Sequence, residues 1–295
     1  MEAYRQNSVL HVEDLYQAFG AKVVLDDIDL SVRKGELVTV VGPSGCGKST
    51  LLRIIIGQDT PVQGKVFLDG DPISAPDTRR GVVYQHYSLF PNLSALDNVL
   101  VGHRLKVWPW QWPSARKALR DEAMAYLETA GLADHAGKYP HQLSGGQRQR
   151  VAIVQALIQK PMILCMDEPF SALDPGTRES MQMFLLDLWE KNGMTVFFVT
   201  HDLEEAAYLG TRLIGLSQYY SDDREMAAAR GAKIVVDREI SPLGTALSPE
   251  VKRNKDFRDL IRHIREQAFD PEYRQHAREF DLSHPQSWRT TSPGA

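Results

Sequence analysis

Gly42-Pro43-Ser44-Gly45-Cys46-Gly47-Lys48-Ser49-Thr50 separates the apolar run Leu37-Val38-Thr39-Val40-Val41 from the helix-forming Leu51-Leu52-Arg53-Ile54-Ile55-Ile56. The stretch satisfies G-x-x-x-x-G-K-[ST] in full, so a buried strand is expected to feed a glycine-rich turn that opens a helix. Glycines lack a Cβ, which lets successive backbone N–H groups curl around phosphate oxygens. The helix dipole and the Lys48 ammonium add positive potential. Ser49 offers a hydroxyl to Mg²⁺. A glycine turn without a ligand would not need all these positions in a strand-to-helix context, and the reading is a nucleotide-phosphate site.

Outward from this loop the chain reads as α/β. Val9-Leu10-His11-Val12 and the alternating Val23 to Val32 form strands, a turn falls at Lys34-Gly35, and an antiparallel β layer is expected before the loop. Phe19-Gly20 lies in an early turn, where the aromatic is either a core or turn residue or a face for a nucleobase. After the first helix, Gly64 to Gly70 reads as a strand and turn. Gly81-Val82-Val83-Tyr84-Gln85 reads as a short buried strand with Gln85 at its exit. Strands of open α/β sheets deliver binding residues from their carboxyl ends, so Gln85 could face phosphates, although a lone Gln in such a place is more often mere surface.

From about Pro91 to Lys160 the pattern turns helical, most clearly over Ala115 to Leu127. Trp108-Pro109-Trp110-Gln111-Trp112-Pro113 interrupts it, with prolines expected to break the helix and three indoles for local packing or a partner. Leu143-Ser144-Gly145-Gly146-Gln147 opens the next helix, whose apolar face runs through Val151, Val154, Leu157 and Ile158 until Pro161. Ser144 is its expected cap, and this second helix start could also hold an anion.

Pro161 to Pro169 is an apolar strand ending in Asp167 and Glu168. Charge at the end of a doubly buried strand needs a reason. Adjacent residues on a pleat point apart, so one carboxylate is expected to address the Mg²⁺ held by Ser49 and the other a water at the γ-phosphate. Ser171-Ala172-Leu173-Asp174-Pro175 then caps a helix to about Asn192-Gly193, and Met194 to Thr200 forms another buried strand with His201 at its exit. A neutral imidazole there can bond a phosphate or the attacking water. Beyond Ser217 a polar loop leads to a last strand, Lys233 to Asp237. A charged helix from about Pro249 to Gln267 and a polar tail follow, read as a solvated face and a flexible end.

Bulk properties exclude other classes. The 295 residues are 43% hydrophobic, enough for a full core, and the net charge of −4 gives no basic field for nucleic acid. Two cysteines, Cys46 and Cys165, form no disulfide framework and fit a reducing cytosol. The start, Met1 to Ser8, lacks a signal-peptide core, and no apolar run reaches the ~18 residues of a membrane span, so a membrane role would go through a partner. There is no C-x-x-C pair, no G-x-S-x-G elbow, no close histidine spacing and no internal repeat, which leaves one nucleotide site per chain.

The order Gly42 to Thr50, Gln85, Leu143 to Gln147, Met162 to Glu168, Ser171 to Asp174 and His201 resembles an ATP-binding cassette (ABC) ATPase over about residues 8–240. The resemblance implies a P-loop NTPase fold with a RecA-like core, an antiparallel β layer and a helical subdomain at about 91–160, followed by a helical extension and polar tail at 241–295. It also implies a cassette that dimerises head to tail around two ATP molecules. Gly42, Pro43, Ser44, Gly45, Cys46, Gly47, Lys48, Ser49 and Thr50 would bind ATP, and Ser144, Gly145, Gly146 and Gln147 would bind the γ-phosphate held by the partner subunit. Glu168 would be the general base, Asp167 and Ser49 would serve Mg²⁺, Gln85 would sense Mg²⁺ and the water, and His201 would hold the γ-phosphate. Phe19 matches the adenine-stacking aromatic and Asp174 the residue that signals across the dimer.

Gln85 to Ser94 resembles the importer form of the segment that grips a membrane permease, which implies a peripheral subunit on the cytoplasmic face of the membrane. Such a subunit works with a second ATPase subunit, as a homodimer, with permease subunits and, indirectly, with a solute-binding protein. Within importers the chain resembles the nitrate, sulfonate and taurine group. Gln155 stands where an Arg is usual, and the insertion after Ser217 is longer than the norm. The competing reading is a soluble ABC ATPase acting on nucleic acid or ribosomes, for which paired cassettes, a coiled-coil insertion or a basic region would be expected.

Overall fold

The computed structural model describes residues 8–86, 88–106, 112–224, 230–241 and 248–287. Residues 108–111 of the tryptophan cluster and 225–229 of the loop after Ser217 lie outside them. The chain forms two compact units, Met1–Asp77 with Trp189–Ala295, and Thr78–Leu188.

Among the described residues the first unit holds a four-stranded antiparallel sheet, strands of a mixed sheet, and a short two-stranded pair near the C-terminus. Strands Lys22–Arg33, Ser8–Phe19, Gln63–Leu68 and Asp71–Pro72 lie in that order, and all three pairings are antiparallel. Asp14 and Asp27 take φ of 47° and 57° where the ladder shifts register, so the alternation expected from Val23 to Val32 is interrupted and Leu25 and Asp26 are both buried. In the second sheet Leu37–Val41 runs parallel to Thr195–Val199 on one side and Arg212–Ser217 on the other. Lys233–Glu239 joins the outer edge of Arg212–Ser217 antiparallel. All residues of the three parallel strands are buried, the pattern of a sheet covered on both faces.

Arg212 breaks that apolar pattern. It is fully buried and donates through Nε and Nη2 to the two carboxylate oxygens of Asp237, each at 2.6 Å, and through Nη1 to the Ser31 carbonyl at 2.6 Å. Glu36 Oε2 lies 3.4 Å away, and Glu36 also accepts from the Arg33 backbone N–H and side chain. His284 Nε2 stands 3.0 Å from Arg33 Nη2 and 3.3 Å from Glu36 Oε1. Burial opposes the charge on Glu36, yet the His284 contact, Arg212 and Arg33 outweigh it and hold the carboxyl at about 2. The folded value lies below the unfolded one, so this contribution is present above the unfolded pKa and is lost as pH falls toward 2. Its size is about 3 kcal/mol. Glu36→Gln should flatten the acid limb of a denaturation series between about pH 4.5 and 2 and leave the neutral-to-alkaline limb parallel to wild type. An unchanged acid limb would remove Glu36 from this role.

The C-terminal region departs from the expectation of a solvated helix and flexible end. A 3₁₀ turn, Pro249–Arg253, precedes the helix Lys255–Phe269, which buries Phe257, Ile261, Ile264 and Ala268. These fall at i, i+4, i+7 and i+11, a single apolar stripe on an otherwise charged helix. Ala268 lies against Gly215, where an added Cβ would be 3.3 Å from the Ala268 Cβ. Lys233–Glu239 is not the last strand either: Gln275–His276 pairs parallel with Tyr220–Ser221. Ser287 Oγ donates to Asp237 at 2.6 Å, so the tail closes over the charged network.

In the second unit Arg80–Val83 pairs parallel with Ile163–Asp167, Val83 opposite Met166. The helices Ala95–Lys106, Trp112–Thr129 and Gly145–Leu157 form the expected helical region. Pro113 stands in the first turn of its helix rather than breaking it, where the missing N–H costs no intrahelical bond. Asn98, fully buried, donates to the carbonyls of Phe90, Leu93 and Ser94 and accepts the Phe90 N–H, tying down the segment that enters this region. The helix Pro175–Asn192 begins in this unit. Among the described residues no helix is long and apolar enough to cross a membrane.

Candidate functional site

The phosphate loop leaves the strand Leu37–Val41 and enters the helix Lys48–Ile55 in the first unit. Gly42 is required by proximity: a Cβ there would stand 2.2 Å from the Leu216 carbonyl oxygen. Gly47 is required twice, by a φ of 103° and because its Cβ would meet Leu25 Cδ2 at 2.8 Å and Val24 Cγ1 at 2.9 Å. The Cys46 N–H bonds the Pro43 carbonyl and the Leu51 N–H the Gly47 carbonyl, which fixes the turn into the helix. Lys48 Nζ donates to the carbonyls of Gly42 at 2.8 Å and Pro43 at 3.0 Å, so its ammonium lies across the loop. Ser44, Gly45 and Ser49 are exposed, and Thr50 is half-buried. A bare backbone turn crossed by a cation, with an exposed hydroxyl in the first helical turn, fits a phosphate chain and its Mg²⁺. Cys46 and Cys165 are free and buried, and burial raises both thiols, Cys165 to about 12, so neither is a reactive thiolate.

Val40 pairs with Val199, so two residues further on Gly42 and His201 leave this sheet at the same edge. His201 is exposed. The exit is held by the buried Thr200, whose N–H bonds the Val40 carbonyl and whose hydroxyl donates to Glu205 at 2.7 Å. Asp202 caps the following helix, Leu203–Leu209, by accepting the N–H groups of Glu204 and Glu205. Sequence reasoning passed over Thr200 and Glu205, though Asp202 followed by acidic residues is a legible helix start. Phe19 ends its strand opposite Lys22 and is 55% exposed, an open aromatic face on the layer whose Val24 and Leu25 touch Gly47.

In the second unit Gln85 follows Val83 by two residues and Glu168 follows Met166 by two, so both emerge at one edge of the parallel pair. The pleat expected to turn Asp167 and Glu168 apart does not continue through both: the strand ends at Asp167, and Glu168 is a left-handed residue with a φ of 44°. Ser171 secures this turn through its N–H and hydroxyl on the Glu168 carbonyl, and Arg178 reaches the carbonyls of Phe170 and Leu173. Asp174 is exposed and accepts the Thr177 N–H at 3.1 Å, capping the helix Pro175–Asn192. Thr177 holds this carboxyl below its usual range.

Ser144 caps Gly145–Leu157 in a reciprocal box: its hydroxyl accepts the Gln147 N–H at 3.3 Å, and Gln147 Oε1 accepts the Ser144 N–H at 3.0 Å. Gln147 is thereby turned back onto the backbone, while the N–H groups of Gly145 and Gly146 have no acceptor within the helix. Gly146 has no room for a side chain, since its Cβ would stand 2.6 Å from Thr177 Cγ2. No signal in the sequence linked Thr177 to this helix.

The loss of one charged donor sets the scale for the phosphate loop. Lys48→Ala should weaken ATP binding about 10- to 100-fold in a nucleotide titration, the worth of hydrogen bonds to a charged phosphate. Equal affinities for variant and wild type would remove Lys48 from the site.

Residues 25–171 match the family model described as ABC transporter. The chain is 42% identical over 212 residues to the nitrate import ATP-binding protein of Synechocystis sp., covering 70% of this chain and 77% of that protein. It is 47% identical over 197 residues to the taurine import ATP-binding protein of Chromobacterium violaceum, covering 67% and 73%. A dimeric ATP-binding cassette bound to ADP and phosphate superposes with a TM-score of 0.63 at 31% identity, over 79% of this chain and 99% of that one. The phosphate loop, the capped glycine helix and the strand-end carboxylates all stand within residues 25–171, and the chain belongs to the ABC transporter family as one of its ATP-binding ATPases.

Proposed function

We propose that this chain is the ATP-hydrolysing subunit of an importer for a small anionic or zwitterionic solute of the nitrate, sulfonate or taurine kind. The observation that carries the reading is one chain with two glycine-containing helix starts suited to an anion, the loop Gly42 to Thr50 and the capped Ser144-Gly145-Gly146, although it has one phosphate-loop pattern. A head-to-tail pair of chains uses both starts at each of two ATP molecules. Closure of the dimer then depends on ATP, and hydrolysis releases it. The similarity to nitrate and taurine import ATP-binding proteins supports uptake.

In this reading residues 8–240 are the ATPase domain, about 91–160 its helical subdomain and 241–295 an extension. Lys48 and the loop N–H groups hold the β- and γ-phosphates, Phe19 stacks the adenine, and Ser144 with the N–H groups of Gly145 and Gly146 grips the γ-phosphate from the partner subunit. Gln147 acts by holding Ser144 in place. Ser49 and Asp167 hold Mg²⁺, which neutralises phosphate charge when bound. Glu168 accepts a proton from water as its oxygen bonds the γ-phosphorus and the bond to the β–γ bridging oxygen breaks. Gln85 orients that water, His201 bonds the γ-phosphate, and Asp174 contacts the partner subunit. The assembly sits at the cytoplasmic face of the membrane, with permease subunits gripped beside Gln85 to Ser94 and a solute-binding protein on the other side.

Co-purification from membranes tests the reading. A multi-span hydrophobic protein should accompany the chain and stimulate its ATPase. A partner-free ATPase unaffected by membranes would overturn it.

A further inference from the structure

The matched family segment, residues 25–171, contains the phosphate loop but neither the insertion after Ser217 nor the tail. Both converge on one short stretch of strand. Val24 and Leu25 press on Gly47 of the phosphate loop from one side, leaving no room for a Cβ. From the other, Gly231 presses on the same two residues: its Cβ would stand 2.9 Å from the carbonyl carbons of Val24 and Leu25. The Ala232 N–H bonds the Val24 carbonyl at 2.8 Å, and the Asp26 N–H bonds the Ala232 carbonyl at 3.0 Å. Residues 24–26 thus touch the loop through the Val24 and Leu25 side chains and the returning insertion through the Ala232 bonds, and close-packed contacts transmit small displacements.

The insertion is itself locked by charge. Tyr220 donates its hydroxyl to the buried Asp26 at 3.1 Å, and Arg224 Nη2 stands 2.7 Å from the same carboxylate. Arg224 and Arg230 both bond Asp222. Burial opposes ionisation of Asp222, but the two guanidiniums prevail and hold it at about 2. Burial and the Asp26 charge push the Tyr220 phenol up, so it stays a donor. The tail secures the outer side: Gln275–His276 pairs with Tyr220–Ser221, Phe280 meets the Tyr220 ring edge-on at 5.8 Å, and Arg278 bonds Asp223 at 2.6 Å.

We infer that the insertion and the tail form a brace for the phosphate loop, with Tyr220 and Arg224 as positioning residues that act through Asp26, Val24 and Leu25 on nucleotide affinity. The inference rests on the ATPase reading above. Loosening the brace lets Gly47 and the N–H groups of the loop drift from the phosphates, which weakens binding while the carboxylate that does the chemistry is untouched.

The test uses the full-length chain, with ADP titration and steady-state ATP hydrolysis. Tyr220→Phe keeps the ring on Phe280 and removes the bond to Asp26, and Phe280→Ala releases the tail. Each should raise the ADP Kd and the ATP KM about fivefold with kcat nearly unchanged, the range for residues coupled through an intervening element. Ile261→Ala, which empties an apolar position on the Lys255–Phe269 helix, serves as the control and should lower Tm without moving either affinity. Unchanged affinities in Tyr220→Phe, or an equal shift in Ile261→Ala, would overturn the brace. Absence of ADP binding and ATP hydrolysis in wild type would instead sink the ATPase reading.

Discussion

Glu168→Gln is expected to cut steady-state ATP turnover by about 10²–10⁴, the cost of losing a general base. The substitution keeps the shape and hydrogen-bonding reach of the side chain but removes its ability to accept a proton at neutral pH. The bond that Ser171 makes to the Glu168 backbone carbonyl is kept in the variant. ATP binding should therefore survive, and the variant should accumulate as an ATP-bound dimer visible by size-exclusion chromatography. The left-handed backbone at Glu168, costly by about 1–3 kcal/mol at a non-glycine residue, stays as it is, because glutamine differs from glutamate only at the end of the side chain. Unchanged hydrolysis would pass the role to another group.

Arg212→Met is expected to lower stability by about 3–5 kcal/mol in chemical denaturation, the range for breaking a buried ion pair from one side. Methionine fills much of the volume, so the loss reports charge rather than a cavity. Asp237 would stay buried without its bidentate guanidinium, Glu36 would keep only that of Arg33, and the Ser31 carbonyl would lose its donor. Asp237 is also where Ser287 and the His284 N–H attach, so the variant should loosen the tail, with faster proteolysis near residues 281–287. A loss below about 1 kcal/mol would mean that the network contributes little beyond surface pairs.

Features that depend on contiguous residues were legible in the sequence. The phosphate loop needs glycines and a lysine at set spacing. The Ser144–Gln147 box needs a cap and an amide three residues apart, and the carboxylates need the end of an apolar run. Asp174 before its helix and the buried strands around Leu37–Val41 are of the same kind. Each is decided by backbone geometry over a few residues, so spacing is enough.

The charged helix and polar tail were misread for the opposite reason. High charge hid the stripe of Phe257, Ile261, Ile264 and Ala268, and a tail rich in polar residues gave no sign of where it docks. The chain by itself determined an ATP-binding cassette with its loop, capped glycine helix and carboxylates. Only the tertiary structure decided that Arg212 would be the centre of a buried charge network, and that Tyr220 would reach Asp26 while the tail pairs beside it. Those partners are remote in sequence, Asp26 from Tyr220 by 194 residues and Arg33 from His284 by 251. A charged or polar side chain far from its partner reads as solvated surface until the fold removes it from water, and then its pairing is what makes the burial tolerable.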